Sequence, residues 1–377
     1  MSAPFDLGIL GGGQLGRMTI QAAQRMGLRC LSYDPSPEAP AGQIAPLVNG
    51  PFDNPELMAQ VFSQCARVTI ENEFIPASAL KKAIQLAGRT PDCLVPGLEA
   101  IATIQDKLLQ RQKLIAAGVP SPEAVPLDGD GTLAISKIGF PMVLKSRFGG
   151  YDGKGTRFVE DTDEFDLYRN LWQSGGGWLA EQKVDFKREL AVMVVAAPNG
   201  ISVYPTMETR QVNHVCDTVS PVDADGSAVA IAAIRALGCI GLFGVELFET
   251  QSGEILVNEI APRPHNSGHY TLDWGGASQF EQHVRIALGL PPAPIDGYPT
   301  SMANLLGQET QIDYRAGLGA ALIKDPGCFV HWYGKSNRPG RKVGHINASG
   351  LDSLNRVIEA RNTFYSAWAP KDSTQDS

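Results

Sequence analysis

The start of the chain most constrains its fold. Residues 5–10 form a short apolar run that breaks at Gly11-Gly12-Gly13-Gln14-Leu15-Gly16. Apolar positions then recur at helical spacing over residues 14–27 and stop near Gly27, and a second strand-like run, Arg29 to Tyr33, ends at Asp34. Strand, glycine-rich turn, helix and strand in that order make a βαβ unit, whose strands run parallel because the helix carries the crossover. The alternation continues to Pro96, with Arg67 to Glu71 as a further strand, so residues 1–100 are expected to form a small parallel α/β domain.

Gly11-x-Gly13-x-x-Gly16 fits the dinucleotide fingerprint, with Asp34 near the place of a ribose-binding acid. Three readings are open: a tight strand-to-helix turn, an anion cradle at a helix N-terminus, or a nicotinamide site that would make the chain an oxidoreductase. No second signal supports NAD.

Residues 99–117 read as one helix ending at Gly118, followed by a linker at Pro120 and Pro122. Strands are expected at Pro141–Lys145, Gly177–Val184, Glu189–Ala196, Ser202–Thr206, Leu242–Glu249 and Glu254–Ile260, with helices near 227–237 and 278–288. These elements are mixed rather than alternating, which points to antiparallel sheets. At 377 residues the chain is long enough for two or three domains. The division expected is 1–100, then 101–296 with a lid over roughly 120–185, then a small unit at 297–377.

A formal net charge of −8 lacks the basic field that nucleic-acid binding needs. The most apolar long window, Ala228 to Phe248, contains Arg235, Glu246 and three glycines, which argues against a membrane span. Six cysteines lie far apart with no CxxC pair, so neither a zinc knuckle nor a disulfide framework is implied, and a reduced cytoplasmic compartment is expected.

The chemistry concentrates in the middle. The strand ending at Lys145 leads into Gly149-Gly150-Tyr151-Asp152-Gly153-Lys154-Gly155, where four glycines in seven residues make a loop able to close over phosphates, with Lys145 and Lys154 facing them. Residues 242–260 read as a hairpin. If Ser252-Gly253 is its two-residue turn, Glu246 faces Glu259 across the strands. Like charges placed so are unfavourable by about 0.2–1 kcal/mol, and a divalent cation removes the conflict. Asn258 offers a further oxygen. Glu181-Gln182-Lys183-Val184 and Glu189 suit an adenine edge and a ribose carboxylate, although surface charge explains them equally well. Arg263, His265, Asn266 and Ser267 lie in one proline-rich polar loop, and Lys335, Arg338, Arg341 and Lys342 put four cations in eight residues, the pattern of a local phosphate site.

With these residues in view, the chain resembles the 5-(carboxyamino)imidazole ribonucleotide synthases, ATP-grasp enzymes of purine biosynthesis. The likeness runs from GGGQLGRM at 11–18 to GRKVGH at 340–345, and is most specific in GGYDGKG at 149–155, NEIAPRPHNSGH at 258–269, SQFEQH at 278–283 and HWYGK at 331–335. The resemblance implies an ATP-grasp fold with an N-terminal α/β domain and a small C-terminal domain. It implies that ATP activates bicarbonate as carboxyphosphate and that the amine of 5-aminoimidazole ribonucleotide captures the carboxyl group, with Mg²⁺ as cofactor and a cytoplasmic homodimer as the assembly. By matching position it places Lys107, Lys145 and residues Gly150 to Thr156 on ATP phosphates, Glu181 to Val184 on adenine and Glu189 on ribose. Asn258 joins the nucleotide site, and Glu246 and Glu259 hold the metal. Tyr151, Asp152, Lys154, Arg263 and His265 form the implied catalytic set, and Gln14, Glu73, Asn266, Ser267, Lys335, Arg338, Arg341 and Lys342 the substrate site. One departure stands out: where relatives often carry a histidine seven residues after the tyrosine of Tyr204-Pro205, this chain has Gln211, with His214 three further on. Either can approach ATP. The alternatives are another ATP-grasp ligase, such as a formate-dependent glycinamide ribonucleotide transformylase, the NAD-dependent oxidoreductase, or a non-catalytic nucleotide-binding module.

Overall fold

The computed structural model describes residues 3–150, 155–173, 175, 177–310 and 312–368. Its opening strand, Phe5–Leu10, pairs in parallel with Cys30–Asp34 on one side and Cys65–Ile70 on the other. Leu47–Asn49 and Leu94–Val95 complete an all-parallel five-stranded sheet. Leu7, Ile9 and Leu10 are fully buried, as a parallel strand covered on both faces requires. The helix Gln14–Arg25 follows the glycine turn as expected.

One expected helix is two. Residues 99–117 divide into Leu98–Gln105 and Lys107–Ala116 at Asp106, whose backbone is extended. Its carboxylate accepts from the N–H groups of Leu108 and Leu109, at 3.1 and 3.3 Å, so it caps a new helix rather than continuing the old one. Arg147 grips the same carboxylate through two donors. The break turns the second helix so that Lys107 and Arg111 point into the middle of the molecule.

The middle region is antiparallel, as its mixed pattern implied. Ala124–Leu127, Trp178–Gln182, Met142–Ser146 and Thr156–Val159 form a four-stranded sheet over a small core of Leu144, Val159, Phe165 and Trp172. The larger sheet has nine strands among the described residues and centres on Phe186–Ala197, which pairs with Gly241–Thr250 and Met207–Val212. In place of one strand at 202–206 there are Gly200–Val203 and a separate hairpin, Met207–Val212 with Val215–Pro221. That hairpin turns through Asn213 and His214 at φ 50° and 63°, a left-handed pair that usually calls for glycine and here has none.

The C-terminal strands Thr300–Leu306, Lys342–Ser349 and Phe329–Trp332 extend the same nine-stranded sheet. Thr218 faces Ala303 and Val219 faces Met302 across the join. Helices Tyr314–Lys324 and Ser353–Trp368 cover this end around Phe364 and Trp368. All six cysteines are free and buried. Among the described residues no helix is long and apolar enough to cross a membrane.

Candidate active site

Glu246 does face Glu259 across the hairpin, but not by the route the sequence suggested. The turn has three residues, not two: Thr250 N donates to Glu254 O at 2.9 Å, Gly253 N donates to Thr250 O at 3.0 Å, and Gly253 sits at φ 86°. Near the turn Glu249 faces Ile255 and Leu247 faces Val257, a register that would bring Asn258 opposite Glu246. A β-bulge at Asn258 supplies the extra residue and restores the pairing of the two acids. Their side chains keep 36% and 45% of their surface open to solvent.

Each acid is met by a polar side chain, an ammonium in one case and an imidazole in the other. The Lys107 ammonium contacts Glu259 Oε1. His265 Nε2 lies 3.2 Å from Glu246 Oε1, and His265 Nδ1 lies 2.8 Å from Ser267 Oγ. A side chain at Gly244 would bring its Cβ to 2.6 Å from the His265 Cβ, so only glycine lets this imidazole lie on the sheet beside Glu246. Burial pushes the Glu246 carboxyl up, but His265 and then Lys107 outweigh it and hold it below the usual carboxylate range.

Glu189 shares this sheet face, since it pairs with Phe248, two residues beyond Glu246. Burial, and then Glu246, push its carboxyl up to about 7, against the Gln211 side chain beside it. Of the two candidates near ATP, Gln211 thus lies next to the proposed ribose acid, and His214 sits exposed at the hairpin tip. Glu181 is buried and engaged: Lys145 Nζ donates to one oxygen at 2.6 Å and Arg111 to the other. Gln182 and Lys183 are exposed, and Val184 is half-buried. Lys145 also reaches Asn258 Oδ1 at 3.4 Å.

The glycine-rich turn holds a different partner from those expected. Glu71 accepts from the N–H groups of Gly13 and Gly16, at 2.9 and 3.1 Å, and Asp34 accepts from Gly12 N at 2.7 Å. The donors that would cradle a pyrophosphate are taken by the chain's own carboxylates. A Cβ at Gly11 would meet Glu71 at 2.5 Å, so the glycines make room for that acid. Burial pushes Glu71 up to about 7, and the two backbone donors and Arg263 work against the rise. This removes the dinucleotide reading and with it the oxidoreductase.

Between the two large sheets lies a cleft of about 780 Å³, which gathers predicted residues from three distant parts of the sequence. Gln14 comes from the start of the first helix and Glu73 from the turn after the strand Cys65–Ile70, Arg263, His265 and Asn266 from the loop after the acid hairpin, and Lys335, Arg338, Arg341 and Lys342 from near the C-terminus, with Glu246 and Glu259 on the wall. Arg263 grips Glu73 with two donors. Burial pushes Glu73 up, but Arg263 outweighs it and keeps the carboxyl below its ordinary range. Lys335, over the Tyr333 ring, is pressed down to about 8 by burial and then by Arg341 and Lys342. Ser267 is buried behind His265 rather than in the cleft. Asn266 forms a reciprocal amide pair with Asn304, at 2.8 and 3.1 Å. Tyr151, Asp152, Gly153 and Lys154 lie outside the described residues; Gly150, Gly155 and Thr156 flank them.

Sequence reading passed over Arg111, Glu71 and Gln279. Gln279 accepts from His265 N and donates to His265 O and to His269, fixing the loop that carries His265. SQFEQH contains Gln279, but a glutamine's partners cannot be read from a string.

Domain families match along the chain: a ribonucleotide synthetase pre-ATP-grasp domain over residues 5–105, an ATP-grasp domain over 112–280, and a phosphoribosylaminoimidazole carboxylase C-terminal domain over 300–359. The chain is 37% identical over 361 residues to the N5-carboxyaminoimidazole ribonucleotide synthase of Mycobacterium tuberculosis, covering 91% of this chain and 83% of that one. It is 37% identical to the Synechococcus elongatus enzyme of the same name, covering 94% and 92%. It spans 66% and 63% of the length of the phosphoribosylaminoimidazole carboxylases of Ogataea methanolica and Saccharomyces cerevisiae. Among solved structures, N5-carboxyaminoimidazole synthase from Aspergillus clavatus in complex with ADP and 5-aminoimidazole ribonucleotide superposes with a TM-score of 0.84 at 31% identity, covering 97% of this chain and 99% of that one. The matched domains run in the order pre-ATP-grasp, ATP-grasp and carboxylase C-terminal, and the chain belongs to the N5-carboxyaminoimidazole ribonucleotide synthase family of ATP-grasp ligases.

Proposed function

We propose that this chain carboxylates the amine of 5-aminoimidazole ribonucleotide with bicarbonate at the expense of ATP, giving 5-carboxyaminoimidazole ribonucleotide, ADP and phosphate. The observation that carries the reading is the cleft: six cationic or imidazole side chains from two distant segments converge beside the Glu246–Glu259 pair. An anionic ribonucleotide fits the Lys335–Lys342 end, and bicarbonate fits Arg263 and His265, next to the two acids.

Bicarbonate is a poor electrophile until one of its oxygens becomes a good leaving group. In the first step a bicarbonate oxygen takes the terminal phosphoryl group of ATP, releasing ADP. In the second the amine nitrogen attacks the carboxyl carbon, phosphate leaves, and the amine loses a proton. Arg263, braced by Glu73, and His265, braced by Ser267 and Gln279, orient the bicarbonate. Lys107 and Lys145 are placed for nucleotide phosphates, Glu181 to Val184 for the base, and Glu189 with Gln211 for the ribose. Tyr151, Asp152 and Lys154 complete the substrate side.

Two carboxylates with the Asn258 amide alongside fit Mg²⁺, a hard cation that takes one or two carboxylates together with phosphate oxygens. Glu259 already draws the Lys107 ammonium, and the His265 imidazole lies against Glu246, so the pair is lined by groups that a bound cation would displace or share. When bound there, the ion spreads the charge of the transferring phosphoryl group. The reading includes a division at about residues 100 and 296, a cytoplasmic setting and a homodimer, the last of which gel filtration tests. Phosphate release with bicarbonate tests the chemistry: 5-aminoimidazole ribonucleotide should stimulate it. Stimulation by formate and glycinamide ribonucleotide instead would transfer the chain to the other ligase.

A further inference from the structure

Arg111 sits one helical turn beyond Lys107 and is 4% exposed, yet it bonds to both antiparallel sheets. Its Nε and Nη2 donate to Glu181 Oε2 at 3.1 and 2.7 Å, on the four-stranded sheet. Its Nη1 donates to the carbonyl of Val257 at 2.6 Å and its Nη2 to that of Asn258 at 2.9 Å, on the nine-stranded sheet. The strand Ile255–Ala261 is the outer strand of that sheet, so these carbonyls face away from their hairpin partner. They belong to the bulge and the residue before it, the irregularity that brings Glu259 opposite Glu246. A guanidinium is a rigid planar fork, and holding three acceptors at once fixes their relative positions.

We propose that Arg111 is a positioning residue: it locks the bulged Val257-Asn258 backbone against Glu181 and thereby sets where Glu259 points, while touching neither nucleotide nor metal. The same helix presents Lys107 to the Glu259 side chain and Arg111 to the backbone just before it. One short helix therefore registers the base-binding strand against the acid pair. The bland alternative is that Arg111 only neutralises the buried Glu181. The proposal rests on the ATP-grasp reading of the site.

A pair of variants separates the two. Glu181→Gln removes the carboxylate charge but leaves Arg111 its two carbonyls. Arg111→Gln combined with Glu181→Gln removes the fork as well, without leaving a buried carboxylate unpaired. The readout is the rise in melting temperature caused by ADP, followed as Mg²⁺ is titrated, which needs no turnover. The double variant should need about 10–100-fold more Mg²⁺ than Glu181→Gln for half of the effect, as for other residues that orient a metal ligand. The KM for the ribonucleotide should not differ between the two. Equal Mg²⁺ midpoints would overturn the proposal. If the double variant gives no cooperative melt, Arg111→Lys on the Glu181→Gln background takes its place. Its single ammonium cannot hold both carbonyls in the fork's geometry, so a raised midpoint supports the proposal and an unchanged one overturns it. A wild-type chain that shows no Mg²⁺-dependent response to ADP would sink the ATP-grasp reading instead.

Discussion

Glu189→Gln should make the ligand-free protein more stable and its nucleotide site worse. Glu189 stands on the same sheet face as Glu246, and burial together with that neighbour lifts its carboxyl from 4.5 to about 7. One pKa unit corresponds to about 1.4 kcal/mol, so the unscreened cost of ionising Glu189 in the fold is roughly 3 kcal/mol. The group is half-buried and partly screened by water, which reduces the figure to about 1–2 kcal/mol. The sign follows from the direction of the shift. A carboxyl whose folded pKa is raised contributes stability that is fully present below about 4.5 and lost as the pH rises through 7. The glutamine variant, which never ionises, should melt close to wild type near pH 5 and clearly above it at pH 8. The gap should be about 2–4 °C for each kcal/mol. Thermal denaturation without nucleotide at pH 5, 6.5 and 8 measures it, and the KM for ATP of the same variant should rise if Glu189 accepts from the ribose as proposed. A melting difference that does not grow with pH, or a variant that melts below wild type at pH 8, would refute the like-charge argument.

Three further outcomes are expected. Glu259→Gln should lower phosphate release about 100-fold with the melting temperature nearly unchanged; near-normal turnover at saturating Mg²⁺ would take Glu259 out of the metal site. Because Lys335 is pressed to about 8, kcat/KM for the ribonucleotide should fall as the pH rises through that value, and Lys335→Arg should move this alkaline limb out of range. An unmoved limb would mean that another group titrates. Asp106→Ala removes the cap that splits the helix and the partner of Arg147, and should destabilise by about 0.5–2 kcal/mol in a denaturation experiment, with Asp106→Asn recovering part of it.

Periodicity and turn residues carried much of the fold. The opening βαβ unit and the acid hairpin were legible because each is encoded within about 30 consecutive residues, and the antiparallel character of the middle because its strands and helices do not alternate. What was not legible depends on partners far along the chain. The occupants of the glycine turn are a case in point: Glu71 lies 58 and 55 residues beyond the N–H groups it accepts from. Asp106 reads as one more polar residue in a helical run until Arg147 is seen holding it. Arg111 looks like a solvated helix residue, and only the two sheets that close over it make it a buried crosslink. A two-residue turn predicts the right pairing of the two acids only because a longer turn and a bulge cancel each other in the register. The hairpin through Asn213 and His214 escaped notice because its turn lacks the glycine that usually marks such a bend.

The join at Thr218–Ala303 and Val219–Met302 fuses the acid hairpin and the basic C-terminal stretch into one continuous ladder. The separation between the two ends of the cleft is thereby set by one sheet, and a ribonucleotide bound as proposed would be gauged by its length as much as by its charge. A nucleoside without its phosphate would match the reacting end yet lose its anchor at the far one, so it should be carboxylated slowly even at saturation. Among the described residues the four-stranded sheet shares no ladder with this sheet, and the Arg111 fork ties the two together through side-chain bonds instead.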